Sequence, residues 1–363
     1  MKKSHARIGS FSENISSEIP EEFRLEAYDY ELPEELIAYR PAERREASRL
    51  LVLHRESGRL EHRDSFAAIE EYLRLGDLLV LNDTRVFPAR LPGRKETGGR
   101  VEILLLRLPE PGKPVPALYR GKKLFPGYRV IFSEELAARV LSLSPEGELQ
   151  LLFEGPEDLL SAIKKVGLAP LPPYIKREPQ PEDFLRYQTV YARREGSVAA
   201  PTAGLHFSQE LLERLKARGV RLSFLTLHVG YGTFAPVKSP DIRQHRLHEE
   251  FVEVPEETVR AVEETRRERG RVVAVGTTTV RALEWAALSG ELRPRRGWCD
   301  LYIYPGFTFR VVEALVTNFH LPRSSLLILV SAFAGRRRIL SAYREAIRRG
   351  YRFYSYGDAM LIL

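Results

Sequence analysis

The sequence predicts an α/β fold in which a main domain is interrupted by a smaller β-rich insertion, and three features of the 363-residue chain carry that prediction. Strand-then-helix signals occupy the chain before residue 84 and return after 156, the alternation that builds a sheet with helices packed on it. Between 85 and 155 the pattern changes to short apolar runs broken by Gly and Pro, which suits a small module of strands. The proline-rich segment Ala-Pro-Leu-Pro-Pro at 169–173 reads as a hinge or linker. The expected division is a main domain from 25–84 and 156–363, an inserted domain at 85–155, and a flexible, polar N-terminal extension at 1–24 that lacks usable periodicity.

Each element has a local reason. Residues 33–39 begin with Pro33 and read as a short helix with proline in its first turn. Residues 49–54 form an apolar run closed by Glu-Ser-Gly, a strand, and 77–82 form another, with a helix expected at 66–75 between them. In the insertion, 101–106, 129–132 and 149–153 read as strands. A helix is expected at 157–164, then strand-to-helix pairs at 222–229, at 271–275 before 278–287, and at 326–330 before 339–348. No internal repeat of fixed period is present.

Composition narrows the function. Hydrophobic residues make up 44% of the chain, enough for large cores. The longest apolar stretch, 326–334, is far shorter than the ~18–20 residues of a spanning helix and reads as a buried strand. Lys2 and Lys3 are followed by no apolar segment before Ser10, so no signal peptide is expected, and the single cysteine, Cys299, excludes an internal disulfide and points to the cytosol. Net charge is +7, with arginines clustered at 266–271, 293–296, 336–338 and 348–349. Cations that neutralise phosphates release counterions, so such clusters suit a nucleic acid. Carboxylates interleave the 266–271 cluster, which reads as a solvated helix face. Arg336, Arg337, Arg338, Arg348 and Arg349 are the better RNA contacts.

The most informative string is Ser-Val-Ala-Ala-Pro-Thr-Ala-Gly-Leu-His-Phe at 197–207. Small residues admit close backbone approach, and histidine moves protons near neutral pH. Companion strings follow in fixed order: Leu-Asn-Asp-Thr-Arg-Val at 81–86, Leu-His-Val-Gly-Tyr-Gly-Thr-Phe at 227–234, Val-Gly-Thr-Thr-Thr-Val-Arg at 275–281, Asp-Leu-Tyr-Ile-Tyr-Pro-Gly at 300–306, Thr-Asn-Phe-His-Leu-Pro at 317–322 and Tyr-Ser-Tyr-Gly-Asp-Ala-Met at 354–360. In this order, from about Tyr28 to the C-terminus, the chain closely resembles the QueA family, the S-adenosylmethionine:tRNA ribosyltransferase-isomerases of queuosine biosynthesis. The resemblance implies a mixed α/β barrel-like main domain with a smaller β-barrel-like one, and a monomer. It also implies a reaction that moves the ribosyl group of S-adenosylmethionine onto 7-aminomethyl-7-deazaguanine at the tRNA wobble position. S-adenosylmethionine is then a co-substrate, with no prosthetic group and no metal, and tRNA is the partner.

Roles follow as expectations. His206 is the first choice for general base or acid and His228 the second. Asp300 and Asp83 can orient a histidine or hold ribose hydroxyls, and serve equally well as caps or turns. Asn82, Thr84, Arg85, Asn318 and His320 suit polar groups of the substrates, as do Pro201, Thr202 and Gly204. Gly230 and Gly232 let a loop lie against a ligand on which Tyr231 or Phe234 stacks. Thr277 or Thr278 can cap a helix whose free N–H groups hold a carboxylate, with Arg281 as a clamp one turn on. Tyr302, Phe319 and Tyr356 suit stacking.

Rival readings are weaker on chemistry. Gly-Tyr-Gly-Thr-Phe-Ala at 230–235 fits a dinucleotide fingerprint, but Pro236 and Pro240 follow where a helix must start. His245 and His248 have zinc spacing for one helical face without a complementary pair. A hydrolase using Ser197 or Ser208 lacks a nucleophile elbow. A non-catalytic RNA-binding protein needs only a basic surface with aromatics, whereas dense Gly, Thr, His and Asn strings suit an enclosed site.

Overall fold

The computed structural model describes residues 19–363, except for Ala235 and the side chains of Thr233 and Phe234. After a 3-10 turn at Glu34–Leu36 come β1 (Leu50–Leu53) and β2 (Leu60–Arg63), then β3 (Leu78–Asn82) and β4 (Thr84–Val86). The next six strands are β5 (Arg90–Lys95), β6 (Arg100–Leu105), β7 (Val115–Gly121), β8 (Arg129–Ile131), β9 (Ala137–Leu143) and β10 (Leu149–Glu154). Helices α1 (Leu159–Val166) and α2 (Asp183–Arg186) lead to β11 (Arg194–Ser197), a 3-10 turn at Thr202–His206, α3 (Gln209–Ala217) and β12 (Arg221–Leu227). The C-terminal part runs β13 (Glu250–Val254), α4 (Glu256–Arg267), β14 (Val272–Val275), α5 (Thr277–Ala286), β15 (Arg295–Cys299), β16 (Ala314–Asn318), α6 (Ser325–Ala334), α7 (Arg336–Arg348) and β17 (Ala359–Ile362).

Two sheets organise the molecule. Nine strands pair in the order β15-β13-β12-β3-β14-β16-β17-β1-β2, and no pairing joins the two ends among the described residues, so barrel-like closure of this sheet is not seen. Its central members β1, β3, β14 and β16 are buried along their whole length, as runs such as Val-Val-Ala-Val require when both faces are covered. Strands β5 to β10 pair among themselves and close into a six-stranded barrel. Their residues alternate between buried and open, as in β10, because one face fills the barrel and the other meets solvent or a neighbour. A short parallel pair, β4 with β11, joins the chain leaving the large sheet to the chain returning from the barrel.

The expected strands at 49–54, 77–82, 101–106, 129–132, 149–153 and 271–275 are present. The expected helix at 66–75 is a 3-10 segment, Phe66–Glu71, capped by the Ser65 hydroxyl. The helix expected at 33–39 is a single 3-10 turn. The apolar run 326–334 is helix α6, not a strand. Ser324 caps its first turn, Gly335 at φ 87° ends it, and its residues are almost all buried. A short run buried on every side carries no periodicity to separate the two forms. Of the expected N-terminal extension, residues 1–18 lie outside the described residues. Residues 19–24 pack down, with Phe23 against the main core and Arg24 bridged to Asp241. No helix of the described residues is long and apolar enough to cross a membrane.

Candidate active site

A cavity of about 1060 Å3 opens between the barrel and the large sheet. The barrel contributes Leu106, Arg107, Pro116 and Leu118, and the sheet contributes the loop after β12, the start of β13, β15 and the first turn of α6. A recess of about 40 Å3 adjoins it through the shared Val229 and Leu326. Pro201, Thr202, Gly276, Thr277, Thr278, Thr317, Asn318 and His320 line that recess, so three of the motif strings converge there.

His228 follows β12 and faces the cavity. Its Nδ1 lies 2.8 Å from the buried Thr84 Oγ1. That hydroxyl can donate or accept, so the ring can hold either tautomer and leave Nε2 with or without the proton. Nε2 has no hydrogen-bond partner among the described residues. Burial, helped by Arg194, lowers the imidazole to about 4, so the ring is neutral at physiological pH. Two contacts fix its plane: the Phe251 ring stacks on it at 5.5 Å, and Gly196 presses from another side. A Cβ on Gly196 would stand 2.6 Å from Nε2.

His206 is placed differently. It is buried and lines neither the cavity nor the recess. Asn318 Nδ2 donates to the Tyr354 carbonyl at 3.1 Å, which fixes the amide's orientation, and the same nitrogen donates to His206 Nε2 at 3.1 Å. Nδ1 must therefore carry the proton, and Ser48 Oγ receives it at 2.7 Å. Burial, with Arg45 and Arg352 nearby, lowers this imidazole to about 3. With both nitrogens engaged and the ring against Phe66, the first-choice histidine, His206, braces Asn318 in this structure.

The frame of the loop at 228–232 is a buried ion pair. Arg281 pairs with Glu250, each side chain 5% exposed, and Arg281 Nε also donates to the Leu301 carbonyl at 3.0 Å. The other carboxylate oxygen of Glu250 accepts from the Gly230 N–H at 2.8 Å. Arg281, which also lines the cavity, thus has Glu250 as its charge partner in this structure.

A family model described as "Queuosine biosynthesis protein" matches residues 25–362. The chain belongs to that family. It is 54% identical over 340 residues to the S-adenosylmethionine:tRNA ribosyltransferase-isomerase of Aquifex aeolicus, covering 94% of this chain and 100% of the relative. The Thermotoga maritima protein of the same name is also 54% identical over 340 residues, with the same coverage. The crystal structure of S-adenosylmethionine tRNA ribosyltransferase from Thermotoga maritima matches with a TM-score of 0.54 and 45% identity, over 93% of this chain and 100% of that one.

In this queuosine biosynthesis protein several other expected site residues support the site from behind. Asn82 is fully buried and ties β3 to β12, donating to the Leu227 carbonyl and accepting from the Leu227 N–H, and it reaches Thr278 Oγ1 at 3.3 Å. Asp83 accepts from Thr226 Oγ1 at 2.7 Å away from both cavities, and burial raises its carboxyl. Asp300 is exposed and lines neither. Arg85 is 51% exposed on β4 facing Glu195 at 3.6 Å. Gly204 is needed because a Cβ there would meet Tyr191 Oη at 2.0 Å. Tyr356 packs edge-on to Tyr187 and Phe319 sits among Tyr343, Tyr351 and Phe353, so both are core. Tyr302 does line the cavity, with its hydroxyl unpartnered. Tyr231 lines it too and packs against the barrel core, and Gly232 lies against His248. His245 and His248 follow the end of a 3-10 turn, Ile242–Gln244, and share no helical face.

None of the five expected RNA-contacting arginines lines the cavity. Arg336 donates to the Ala27 carbonyl and pairs with Glu21, Arg338 donates to the Glu56 carbonyl, and Arg348 and Arg349 both pair with Glu345. The rim holds residues that the sequence reading passed over. Trp298, 52% exposed on β15, meets Phe251 edge-on at 5.9 Å, and Arg296 lies over that Phe251 ring. Its signal was faint: a tryptophan after the Arg295–Arg296 pair. Gly196 stands one residue before the richest string, and only its contact with His228 reveals its part.

Proposed function

We propose that this chain is an S-adenosylmethionine:tRNA ribosyltransferase-isomerase that works on the 7-aminomethyl-7-deazaguanine of the tRNA wobble position, forms epoxyqueuosine and releases adenine and methionine. The observation that carries the reading is the cavity between barrel and sheet. It is at the upper end of the size range of small-molecule sites, and it combines an aromatic wall, the arginines Arg107 and Arg296 set among carboxylates, and a histidine whose Nε2 has no hydrogen-bond partner among the described residues. The family supplies the reaction, and the chain's own side chains supply the places for its parts.

In this reading the donor enters as a co-substrate. Its sulfonium acidifies the ribose C5′, where a base can remove a proton, and an acid can assist adenine departure. His228 takes the proton-transfer role, held in plane by Phe251 and on its far nitrogen by Thr84. Phosphates arriving at the rim raise its proton affinity toward neutrality. Tyr231, Tyr302 and Trp298 offer faces for purine-like rings. Thr277 and Thr278, at the N-terminus of α5, suit the methionine carboxylate in the recess, with Pro201, Thr202, Asn318 and His320 as its walls. His206, Asn82 and Arg281 are positioning residues. The barrel, residues 85–155, acts as a second domain that forms one wall of the site, and the enzyme works as a cytosolic monomer.

The test is incubation of the protein with S-adenosylmethionine and an anticodon stem-loop RNA bearing the aminomethyl-deazaguanine base, followed by mass spectrometry. Matching release of adenine and methionine with modified RNA supports the reading. RNA binding by folded protein without adenine release would replace it with that of a basic RNA-binding protein.

A further inference from the structure

In the cationic helix α7, Arg336, Arg338, Arg348 and Arg349 have partners within the protein, and a second basic surface holds three arginines without a carboxylate partner among the described residues. On the barrel, β5 pairs with β6 and β6 with β7, so their outward residues share one face. Leu106, Pro116 and Leu118 on this face form part of the cavity wall. Further along the same strands Arg120 stands opposite Glu102, and beyond them Arg94 stands directly opposite Arg100. Pro116 and Arg120 are both on the outward side of β7 and about 13 Å apart at strand rise. The face therefore runs unbroken from the cavity to an open cleft of about 1050 Å3 lined by Arg94, Lys95, Arg100 and Arg120.

The charges of this cleft are unbalanced. Its two carboxylates, Glu102 and Glu178, both engage Arg90, at 2.7 and 2.9 Å. Arg94, Arg100 and Arg120 are exposed and have no carboxylate partner among the described residues. Like charges directly opposite on paired strands destabilise a sheet, so the Arg94–Arg100 pair opposes folding unless an anion answers it. Guanidinium groups bind phosphate oxygens bidentately.

We propose that the outward face of β5, β6 and β7 is a phosphodiester track, on which Arg94, Arg100 and Arg120 each neutralise a backbone phosphate of the RNA strand whose target base enters the cavity. This rests on the reading of RNA as substrate and adds where its backbone lies. The barrel then serves both as a wall of the reaction cavity and as the dock for the strand that delivers the base.

The experiment compares wild-type protein with an Arg94→Gln/Arg100→Gln/Arg120→Gln variant and an Arg337→Gln/Arg348→Gln/Arg349→Gln variant. Binding of a fluorescent anticodon stem-loop RNA with ordinary guanine is followed by anisotropy from about 50 to 200 mM KCl. The barrel variant is expected to lose about tenfold or more in affinity at the lower salt, and its log–log salt slope is expected to shrink by about two to three. The helix variant should keep the wild-type slope within about one unit. In turnover, KM for RNA rises in the barrel variant while kcat and KM for S-adenosylmethionine hold. An unchanged slope in the barrel variant overturns the proposal, as does loss of binding to anionic lipid vesicles with RNA binding intact, which would assign the face to a membrane surface. Failure of wild-type protein to release adenine would sink the enzymatic reading alone, because the slope comparison stands on RNA binding without turnover.

Discussion

The turn Thr202–His206 and the loop from His228 to Gly232 each hold a histidine close to glycine, but the structure uses them in opposite ways. In the first, His206 is sealed between Ser48, Asn318 and Phe66, and Gly204 makes room for the Tyr191 hydroxyl. In the second, His228 lines a large cavity, and a Cβ on Gly230 would meet only Glu250, at ordinary contact distance. A buried polar network restricts residue choice on every side, as a substrate does. Dense motifs therefore mark constraint, and only placement tells which kind.

The largest expected difference is between the two histidines. His228→Ala should lower kcat for adenine release by about 10²–10⁴-fold with little change in unfolding temperature. His206→Ala should instead cost about 1–3 kcal/mol of stability, because it leaves buried groups of Ser48 and Asn318 unpaired, while the folded fraction keeps kcat within a few-fold. Single-turnover kinetics beside thermal unfolding separates the two. Next comes the frame of the second loop: Arg281→Met removes the cation paired with the buried Glu250 carboxylate and should cost about 3–5 kcal/mol in chemical denaturation.

Two glycines sharpen the comparison. Gly204→Ala forces overlap with Tyr191 and should destabilise by about 1–3 kcal/mol without altering the chemistry of folded protein. Gly196→Ala pushes on His228 Nε2, so it should lower kcat by a larger factor than Gly204→Ala does. At the rim, Trp298→Ala should raise KM for RNA by about tenfold, within the range for a lost base stack, and leave stability unchanged.

The last comparison is in pH. His206 at about 3, His320 at about 3 and His228 at about 4 all titrate below the ordinary histidine value of 6.5. The unfolded chain takes up protons first, so these groups contribute stability that is complete above pH 6.5 and is lost as pH falls toward 4 and 3. Equilibrium unfolding across that range should show the decline, and His206→Gln should flatten it. A slope unaffected by that change would refute the buried neutral form.

Much of the fold was legible because strands such as β1, β3 and β14 announce themselves as uninterrupted aliphatic runs, and the barrel's strands by short runs between turns. Helix α6 was not, since a helix buried on all sides shows no period. The recess was legible in the strings around Pro201, Thr277 and Asn318, which the topology brings together at the ends of β14 and β16. The roles within those strings were not, because whether an Asn or Arg turns toward a ligand or a neighbouring carbonyl depends on partners far along the chain, as with Asn82 and Leu227 or Arg281 and Glu250. The same holds in the basic helix α7: Glu345 lies one turn from Arg348 and Arg349, but Glu21 and Ala27, which hold Arg336, come from the other end of the sequence.

The central claim is that ligand chemistry belongs to the cavity beside His228. Gly230 lines that cavity, its backbone conformation admits a side chain, and a Cβ there meets only Glu250 at ordinary contact distance, 3.7 Å. Calorimetric titration of S-adenosylmethionine into Gly230→Phe, alongside thermal unfolding, is the direct test. The account predicts a folded protein of near wild-type stability whose binding is lost or weakened at least about a hundredfold, roughly 2.7 kcal/mol. Wild-type affinity in the filled cavity would contradict it.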